Sequence, residues 1–205
     1  MSLSTTLYLV RHAQSNPRST LAEANWPLSG VGRAQASALP DLLVPLGIEH
    51  VISSPYIRCM ETMRPFAGRI GTEIHIVEEL RERIITAGLS RDFEEVLRRS
   101  WEDFHFALPE CETSHAVQQR IRPAIDQIAR NHAGRTVAVC SHGNTISLLL
   151  NHLEPAFGMT EMMRMRNPDV LRLVGDGERL DWDRDFVLDG LEPLATRHED
   201  VPIDW

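Results

Sequence analysis

The chain of 205 residues is long enough for one domain with a sizeable core, because a protein of this length buries roughly 70% of the surface that its unfolded chain exposes. Hydrophobic residues make up 42% of the chain and charged residues 24%, as in ordinary globular proteins, and the formal net charge is −8. This negative balance argues against general nucleic-acid binding, which needs a basic face. We therefore expect a single domain over residues 1–205 and no nucleic-acid partner.

The three cysteines, Cys59, Cys111 and Cys140, lie far apart and form no C-x-x-C pair. Their odd number and their spacing predict reduced thiols in a reducing compartment, not a disulfide framework. No apolar run approaches the ~20 residues that span a membrane. Residues 1–10 also lack the charged start and long apolar core of a signal peptide. We expect a cytoplasmic protein without a membrane partner.

The first apolar run, Thr6–Val10, predicts a strand buried on both faces, as in a parallel sheet, and it leads directly into Arg11 and His12. In open α/β sheets, functional side chains lie just past the carboxyl ends of such strands. Taken alone, an Arg-His pair more often begins a polar loop than a functional site. A polar stretch over residues 16–26 follows it.

A helix is predicted next, over Val31–Val44, with Ser29 as its N-cap. Pro40 interrupts the helical pattern, so we expect a kink or an early end there. A short strand is predicted over Glu49–Ser53.

The second helix is predicted to begin with Ser54 as N-cap and Pro55 in the first turn, where a missing N–H has no cost. It carries Arg58 on that turn and runs to about Ile70. Gly71 is a typical residue for its end.

The following segments continue the alternation of strands and helices. A charged turn over residues 79–83 contains Glu82. Phe93, Leu97 and Trp101 recur at helical spacing and predict an amphipathic helix. The predicted elements are a strand over 73–78, helices over 90–106 and 113–132, a strand over 135–140 and a helix over 145–153.

A closing hairpin is predicted from residues 169–174 and 179–182, because the Asp-Gly between them is a strong hairpin signal. We expect residues 90–111 to form a cap-like insertion. Residues 184–205 are predicted to be an acidic, irregular tail that is solvated or loosely docked. The alternation as a whole predicts the α/β class with a mainly parallel sheet.

If the strands run parallel, their ends bring two arginines, two histidines and one carboxylate to one edge of the sheet. Guanidinium groups match the oxygens of a phosphate, and helix N-termini add N–H donors. An imidazole there is suited to donate to the anion or to attack phosphorus, and a carboxylate is suited to protonate the leaving oxygen. The residues are Arg11, His12, Arg58, Glu82 and His142.

Five sequence blocks resemble those of the histidine phosphatase superfamily, the phosphoglycerate-mutase-like proteins. Their shared order and their places at strand ends and helix starts are far more specific than any single block. The resemblance implies a three-layer α/β/α sandwich whose mainly parallel sheet has one antiparallel strand. The blocks are Arg11-His12-Ala13-Gln14-Ser15, Leu28-Ser29 with Gly32 and Gln35-Ala36, Ser53-Ser54-Pro55 with Arg58 and Thr62, Leu80-Arg81-Glu82-Arg83, and Ser141-His142-Gly143-Asn144.

The resemblance also implies roles for these residues. His12 would be the nucleophile that becomes phosphorylated, and Glu82 would be the general acid and base. Glu78 and Glu79 remain alternatives to Glu82 if the turn is shifted. The expected phosphate-binding or pocket-edge residues are Arg11, Arg58, Gln14, Ser15, Arg18, Gly143 and His142. His142 is expected to be a catalytic residue as well.

Two departures from the family pattern bear on function. Many members have an asparagine six residues after the nucleophile, where this chain has Arg18, which is expected to serve instead. The run over residues 84–88 lacks the aromatic and charged residues often seen in glycolytic mutases. This difference favours a phosphatase.

We therefore expect a phosphatase that hydrolyses phosphate monoesters of small molecules through a phosphohistidine on His12. No organic cofactor is implied, and no metal is expected, since the sequence has no H-x-x-x-H spacing and no cysteine pair. A phosphoglycerate-type mutase and a non-catalytic module that binds phosphate ligands are the alternatives. The sequence leaves a homodimer open.

Overall fold

The structure, a computed structural model, describes residues 4–17, 20–87, 90, 92–175 and 179–197. Successive side chains of a strand point to opposite faces of the sheet. In the first strand, Leu7 and Leu9 therefore lie in one apolar core, while Tyr8 and Val10 lie in another. This confirms the prediction of a strand buried on both faces.

The described residues form one sheet of six strands. They are β1 (Thr5–Arg11), β2 (His50–Ser53), β3 (Ile74–Ile76), β4 (Thr136–Ser141), β5 (Asp169–Gly175) and β6 (Leu180–Asp183). Their order is β3-β2-β4-β1-β5-β6. β1 to β4 pair in parallel, and β5 runs antiparallel to both of its neighbours. The mainly parallel sheet with one opposed strand is thus confirmed.

Helices cover both faces of this sheet. They are α1 (Gly30–Leu43), α2 (Ile57–Ile70), α3 (Phe93–Glu102), α4 (Ser114–Asn131), α5 (Gly143–Leu153) and α6 (Met159–Arg164). Leu39 of α1 and Phe66 of α2 pack in one core, and Ile121 of α4 and Ile146 of α5 pack in the other. Each such side chain stabilises the fold by roughly 1.5–3 kcal/mol. The result is the expected three-layer sandwich, and none of its helices within the described ranges is both long and apolar enough to cross a membrane.

The parallel strands end level with one another. Arg11 of β1 is paired with Ser141 of β4, and Ser53 of β2 is paired with Cys140 of β4 and Ile76 of β3. The residues that follow these strands therefore start from one edge of the sheet, as the sequence predicts.

Ser54 does not cap the second helix, so that prediction is wrong. α2 begins at Ile57, and its N-cap is Tyr56. The Ser54 hydroxyl lies 2.8 Å from His142 Nε2 and accepts the Tyr56 N–H at 3.3 Å. His142, which is distant in sequence, thus contacts the hydroxyl that the local sequence pattern assigns to the start of the helix.

Three other helix boundaries also differ from the prediction. α1 covers Gly30–Leu43 and continues past Pro40, so the helix does not end at the proline. α3 is shorter than the predicted span of 90–106, since the chain becomes extended at Asp103. α5 begins at Gly143, two residues before the predicted start, and α6 was not predicted.

The closing hairpin is confirmed as the antiparallel pair β5 and β6, in which Gly175 is paired with Leu180. Its predicted turn at Asp176-Gly177 lies outside the described residues. Between β6 and residue 197 the chain forms turns and an isolated bridge of Thr196 with Asn167.

The tail over residues 184–197 is nevertheless docked, in contrast to the expectation of a solvated or loosely docked segment. Leu188 and Leu191 lie in the core shared with α1 and α2, and Leu191 is 2% exposed. Asn167 and Thr196 exchange two backbone hydrogen bonds of 2.8 Å. Apolar side chains placed between the acidic residues account for this docking.

Candidate active site

His12 follows β1, and its ring is fixed in one tautomer. Nδ1 lies 2.7 Å from the carbonyl oxygen of Ala13. A carbonyl oxygen only accepts, so Nδ1 carries the proton and Nε2 carries a lone pair. The His12 N–H donates to the Ser141 carbonyl at 3.1 Å, and Asn167 Nδ2 donates to the His12 carbonyl at 2.8 Å. The buried imidazole therefore presents Nε2 from a rigid position.

Arg58 lies on the first turn of α2, beside His12. Its Nε donates to His12 Nε2 over 3.2 Å. Its Nη1 donates to the Glu23 carbonyl oxygen at 2.8 Å, and its Nη2 donates to the Glu23 carboxylate at 3.0 Å. The Tyr56 ring centroid lies 4.8 Å from Arg58 Cζ, within the range of a cation–π interaction. The guanidinium thus lies between the predicted nucleophile and a loop carboxylate.

His142 is the N-cap residue of α5 and is completely buried. Its Nε2 lies 2.8 Å from Ser54 Oγ and 3.5 Å from Cys59 Sγ. Its ring centroid is 5.2 Å from that of His12, in an edge-on arrangement. The two predicted histidines therefore line one site.

The pKa values of His12 and His142 both lie well below the usual histidine value. Burial is the largest cause, and the positive charge of Arg58 lowers them further. The contact with the Ala13 carbonyl raises the pKa of His12, but it is outweighed. Both rings are therefore neutral near pH 7, and His12 keeps its lone pair.

Arg11 ends β1, and its guanidinium crosses the first residue of α5. A Cβ at Gly143 would lie 2.9 Å from Arg11 Cζ, so only glycine leaves room for this crossing. Arg11 Nη1 donates to the Met165 carbonyl at 2.7 Å, while Nε is buried and has no hydrogen-bond partner among the described atoms. Burial lowers the pKa of Arg11, and the charges of Glu82 and Asp169 oppose this. An unpaired buried donor at a helix N-terminus is suited to an anionic oxygen.

Glu82 is held by the first turn of α5. Its Oε1 accepts hydrogen bonds from the Thr145 N–H at 3.1 Å, from Thr145 Oγ1 at 3.0 Å and from the Arg83 N–H at 2.9 Å. Its negative charge raises the pKa of Arg11, against the larger effect of burial.

Arg83 anchors the Glu82 turn to the helices behind it. Its Nη1 donates to Ser100 Oγ at 2.9 Å and to Ser114 Oγ at 2.8 Å, and its Nε donates to the Glu112 carbonyl at 2.9 Å. Burial lowers the pKa of Arg83 to about 10. Ser100 belongs to the segment 90–111, whose role as a cap stays a prediction.

The other expected pocket residues occupy different surroundings. Gln14 Oε1 accepts a hydrogen bond of 2.6 Å from the Ser29 hydroxyl. Ser15 forms an isolated antiparallel bridge with Leu28. Arg18 lies outside the described residues. The structure thus gathers the two arginines, the two histidines, Glu82 and Gly143, and it engages Gln14 with the start of α1.

Sequence reasoning missed Glu23 and Asn167, both of which contact the central pair of residues. Glu23 is the one acidic residue of the polar stretch 16–26, a signal that draws attention to it but does not predict its partner. Asn167 precedes Pro168, and the Asn-Pro pair is a turn signal that does not predict a contact with His12.

Anion binding is what the polar groups at this edge are suited to do. Arg58 contacts His12 Nε2, the His142 ring lies edge-on to the His12 ring, and the charge of Arg11 lowers the pKa of His12. In the part of the chain that the structure describes, no three His, Cys, Asp or Glu side chains form a group that could hold a metal ion.

Comparison with known proteins supplies the family. The sequence matches the family model "Histidine phosphatase superfamily (branch 1)" over residues 7–184. A protein named "Probable phosphoglycerate mutase GpmB", from Enterobacter sp. (strain 638), is 27% identical over 182 residues, which cover 82% of this chain and 83% of the relative.

Two solved structures share the fold. Mycobacterial glucosyl-3-phosphoglycerate phosphatase superposes with a TM-score of 0.75 at 23% identity, covering 90% of this chain and 99% of that one. A phosphoserine phosphatase mutant from Entamoeba histolytica superposes with a TM-score of 0.72 at 17% identity, covering 87% of this chain and 94% of its own. Since the family match extends from β1 through β6, the chain belongs to the histidine phosphatase superfamily, whose members include proteins named as phosphatases and as mutases.

Proposed function

We propose that this protein hydrolyses phosphate monoesters of small molecules through a phosphohistidine formed on His12, with Glu82 as general acid and base. The observation that carries the proposal is the contact of His12 Nδ1 with the Ala13 carbonyl, which leaves the Nε2 lone pair facing Arg58. A buried, neutral imidazole with a fixed tautomer is the nucleophile that such a reaction needs.

In the first step, His12 Nε2 forms a bond to phosphorus while the ester P–O bond breaks. Arg11 and Arg58 stabilise the charge on the phosphoryl oxygens, and His142 lies beside them. The Glu82 carboxyl group gives its proton to the leaving oxygen, so the alcohol departs as a neutral molecule.

In the second step, a water oxygen forms a bond to phosphorus while the N–P bond breaks. The Glu82 carboxylate takes a proton from this water. Inorganic phosphate leaves, and His12 returns to its neutral form. The proton that Glu82 gives up in the first step is thus replaced in the second.

A mutase would use the same residues but would return the phosphoryl group to a second hydroxyl of the substrate. The name of the Enterobacter relative supports this alternative. The Glu23 carboxylate, which contacts Arg58 at 3.0 Å, disfavours a phosphoglycerate as the substrate, because a phosphoglycerate brings a carboxylate of its own.

Cytoplasmic residence is part of the same proposal. The structure has Cys59, Cys111 and Cys140 as free thiols, which supports a reducing compartment. Cell fractionation of the tagged protein tests this point.

Rapid quenching during turnover of a phosphate ester with a radiolabelled phosphoryl group tests the mechanism. We expect protein-bound label that survives alkaline quenching and is lost in acid, together with release of inorganic phosphate. His12→Ala should remove label and turnover while circular dichroism shows a folded protein. Turnover that persists in His12→Ala would overturn the mechanism.

The same experiment separates the alternatives. Phosphoryl transfer to a second substrate hydroxyl without phosphate release would indicate a mutase. Phosphate binding in calorimetry without any turnover would indicate a non-catalytic binding module.

A further inference from the structure

Glu23 contacts the same Arg58 guanidinium that contacts His12. Nε and Nη2 donate from one edge of this planar group. Nε contacts His12 Nε2 at 3.2 Å, and Nη2 contacts Glu23 Oε1 at 3.0 Å. The Glu23 carboxylate therefore takes a donor of the guanidinium that contacts the nucleophilic nitrogen, and a phosphoryl group bound by Arg58 would compete with it for this donor. Glu23 is an internal anion in the proposed phosphoryl site.

The loop holds Glu23 at this place through its main chain as well. The Glu23 carbonyl accepts from Arg58 Nη1 at 2.8 Å, and the Trp26 ring centroid lies 5.8 Å from Arg58 Cζ. The Glu23 side chain is 25% exposed, so its carboxylate borders both the site and solvent. If a phosphoryl group displaces the carboxylate from Nη2, the main chain keeps Glu23 at the mouth of the site.

In the part of the chain that the structure describes, Arg58 is the cation that acts on the Glu23 carboxylate. Among the described residues, the charges that act most on Glu23 are those of Arg58 and Glu82. Arg81 and Arg120 are already paired with Glu112, at 2.6 Å and 3.0 Å. A cationic group of the substrate would therefore pair with Glu23, whereas an anionic group would be repelled by the carboxylates of Glu23 and Glu82.

We propose that Glu23 is a specificity-determining residue that favours phosphate esters whose leaving group carries a cation, such as aminoalkyl phosphates, over esters whose leaving group carries a carboxylate. The inference rests on the proposed function of the site. The phosphoryl group replaces the Glu23 carboxylate as the acceptor at Arg58 Nη2, and the freed carboxylate pairs with the ammonium group of the substrate. An ester without a cation leaves this carboxylate unpaired.

Steady-state kinetics with phosphoethanolamine, glycerol 1-phosphate and 3-phosphoglycerate test the selection. In the wild type we expect kcat/KM to fall in that order. Glu23→Gln should lower the ratio of phosphoethanolamine to 3-phosphoglycerate about tenfold, mainly through KM, because one charge-assisted contact is exchanged. Glu94→Gln on α3 removes an equal charge from an exposed position and should leave the ratio unchanged. An unchanged ratio in an active Glu23→Gln protein would overturn the proposal.

Calorimetric titration with inorganic phosphate tests the competition for Arg58 without turnover. Glu23→Gln should bind phosphate about tenfold more tightly than the wild type, since no carboxylate has to be displaced. If the wild type hydrolyses none of the esters, the proposed function fails, but the titration still reports on Glu23. Equal phosphate affinities would overturn the role of Glu23. If Glu23→Gln does not fold, Glu23→Asp, whose shorter side chain draws the carboxylate away from Nη2, should change phosphate affinity in the same direction.

Discussion

Arg58 Nε donates to His12 Nε2 at 3.2 Å, on the nitrogen that the contact of Nδ1 with Ala13 leaves unprotonated. Because the same guanidinium also offers Nη2 to an oxygen, Arg58 in the proposed mechanism orients His12 Nε2 and positions the phosphoryl group. Its proposed role is therefore positioning as well as neutralisation of charge.

Arg58→Lys keeps the positive charge but loses this planar edge, since an ammonium group is a point charge. We expect kcat/KM for p-nitrophenyl phosphate to fall about 100-fold or more, because each charge-assisted hydrogen bond contributes roughly 1.5–3 kcal/mol and each 1.4 kcal/mol changes a rate tenfold. Arg64→Lys, at an exposed position of the same helix, is the matched control and should retain activity. A wild-type rate in Arg58→Lys would contradict the positioning role.

Glu82→Gln tests the general acid through the leaving group. Glutamine cannot deliver a proton, so phosphorylation of His12 by glycerol 1-phosphate should slow by roughly 100- to 10,000-fold. Phosphorylation by p-nitrophenyl phosphate should change little, because nitrophenolate leaves without a proton, and the phosphoenzyme should then accumulate. Single-turnover kinetics with both esters measure the difference.

Two neighbouring carboxylates provide the controls for Glu82. Glu78 and Glu79 lie on the exposed turn just before it. Glu78→Gln and Glu79→Gln should retain wild-type rates with both esters. If either variant lost activity in a way that depends on the leaving group, and Glu82→Gln did not, the substituted residue would be the general acid.

The parts of this site that could be predicted are those encoded locally. An apolar run followed by Arg11-His12 or by Ser141-His142 predicts both a strand and its functional end. The parallel register then brings such ends together without further information. The six-stranded sheet and the gathering of the two histidines follow from these local signals.

The contacts that could not be predicted join segments far apart in sequence through a loop or a single side chain. Ser54 has good N-cap chemistry, but its hydroxyl contacts His142, 88 residues away. Glu23 reaches Arg58 across 35 residues from a stretch with no periodicity. Leu191 is buried against α1 and α2, although the acidic residues around it in the sequence indicate an exposed segment.

Gly143→Ala should impair the site without a large loss of stability. The added Cβ would lie 2.9 Å from Arg11 Cζ and Nε, so the guanidinium must shift. We expect kcat/KM to fall about tenfold and the free energy of unfolding to fall by roughly 1–3 kcal/mol, as in other overpacked sites. Kinetics and urea unfolding measure the two effects.

Gly68→Ala is the matched control for that substitution. Gly68 lies in α2, and a Cβ added there would meet no atom of another element within 4 Å. The variant should be about 0.4–1 kcal/mol more stable than the wild type and equally active. An activity loss of the same size in both variants would show that the clash with Arg11 is not the cause.

Stability should fall as the pH drops below about 6.5, because His12 and His142 are buried in their neutral forms with pKa values well below the usual one. Each imidazole of the unfolded chain binds a proton near its ordinary pKa, whereas the native state does so only at lower pH. The unfolded state therefore holds more protons in this window, and acid favours it by up to about 1.4 kcal/mol per pH unit for each histidine. The stabilising contribution is fully present above the unfolded pKa.

Urea unfolding between about pH 7 and about pH 5.5 measures this dependence. His142→Gln should reduce the slope of unfolding free energy against pH by up to one proton, because one buried neutral imidazole is removed. His152→Gln controls for the removal of an exposed histidine. Equal slopes in the wild type and in His142→Gln would contradict the neutral, buried state of His142, which the site needs if Arg11 and Arg58 are to supply its positive charge.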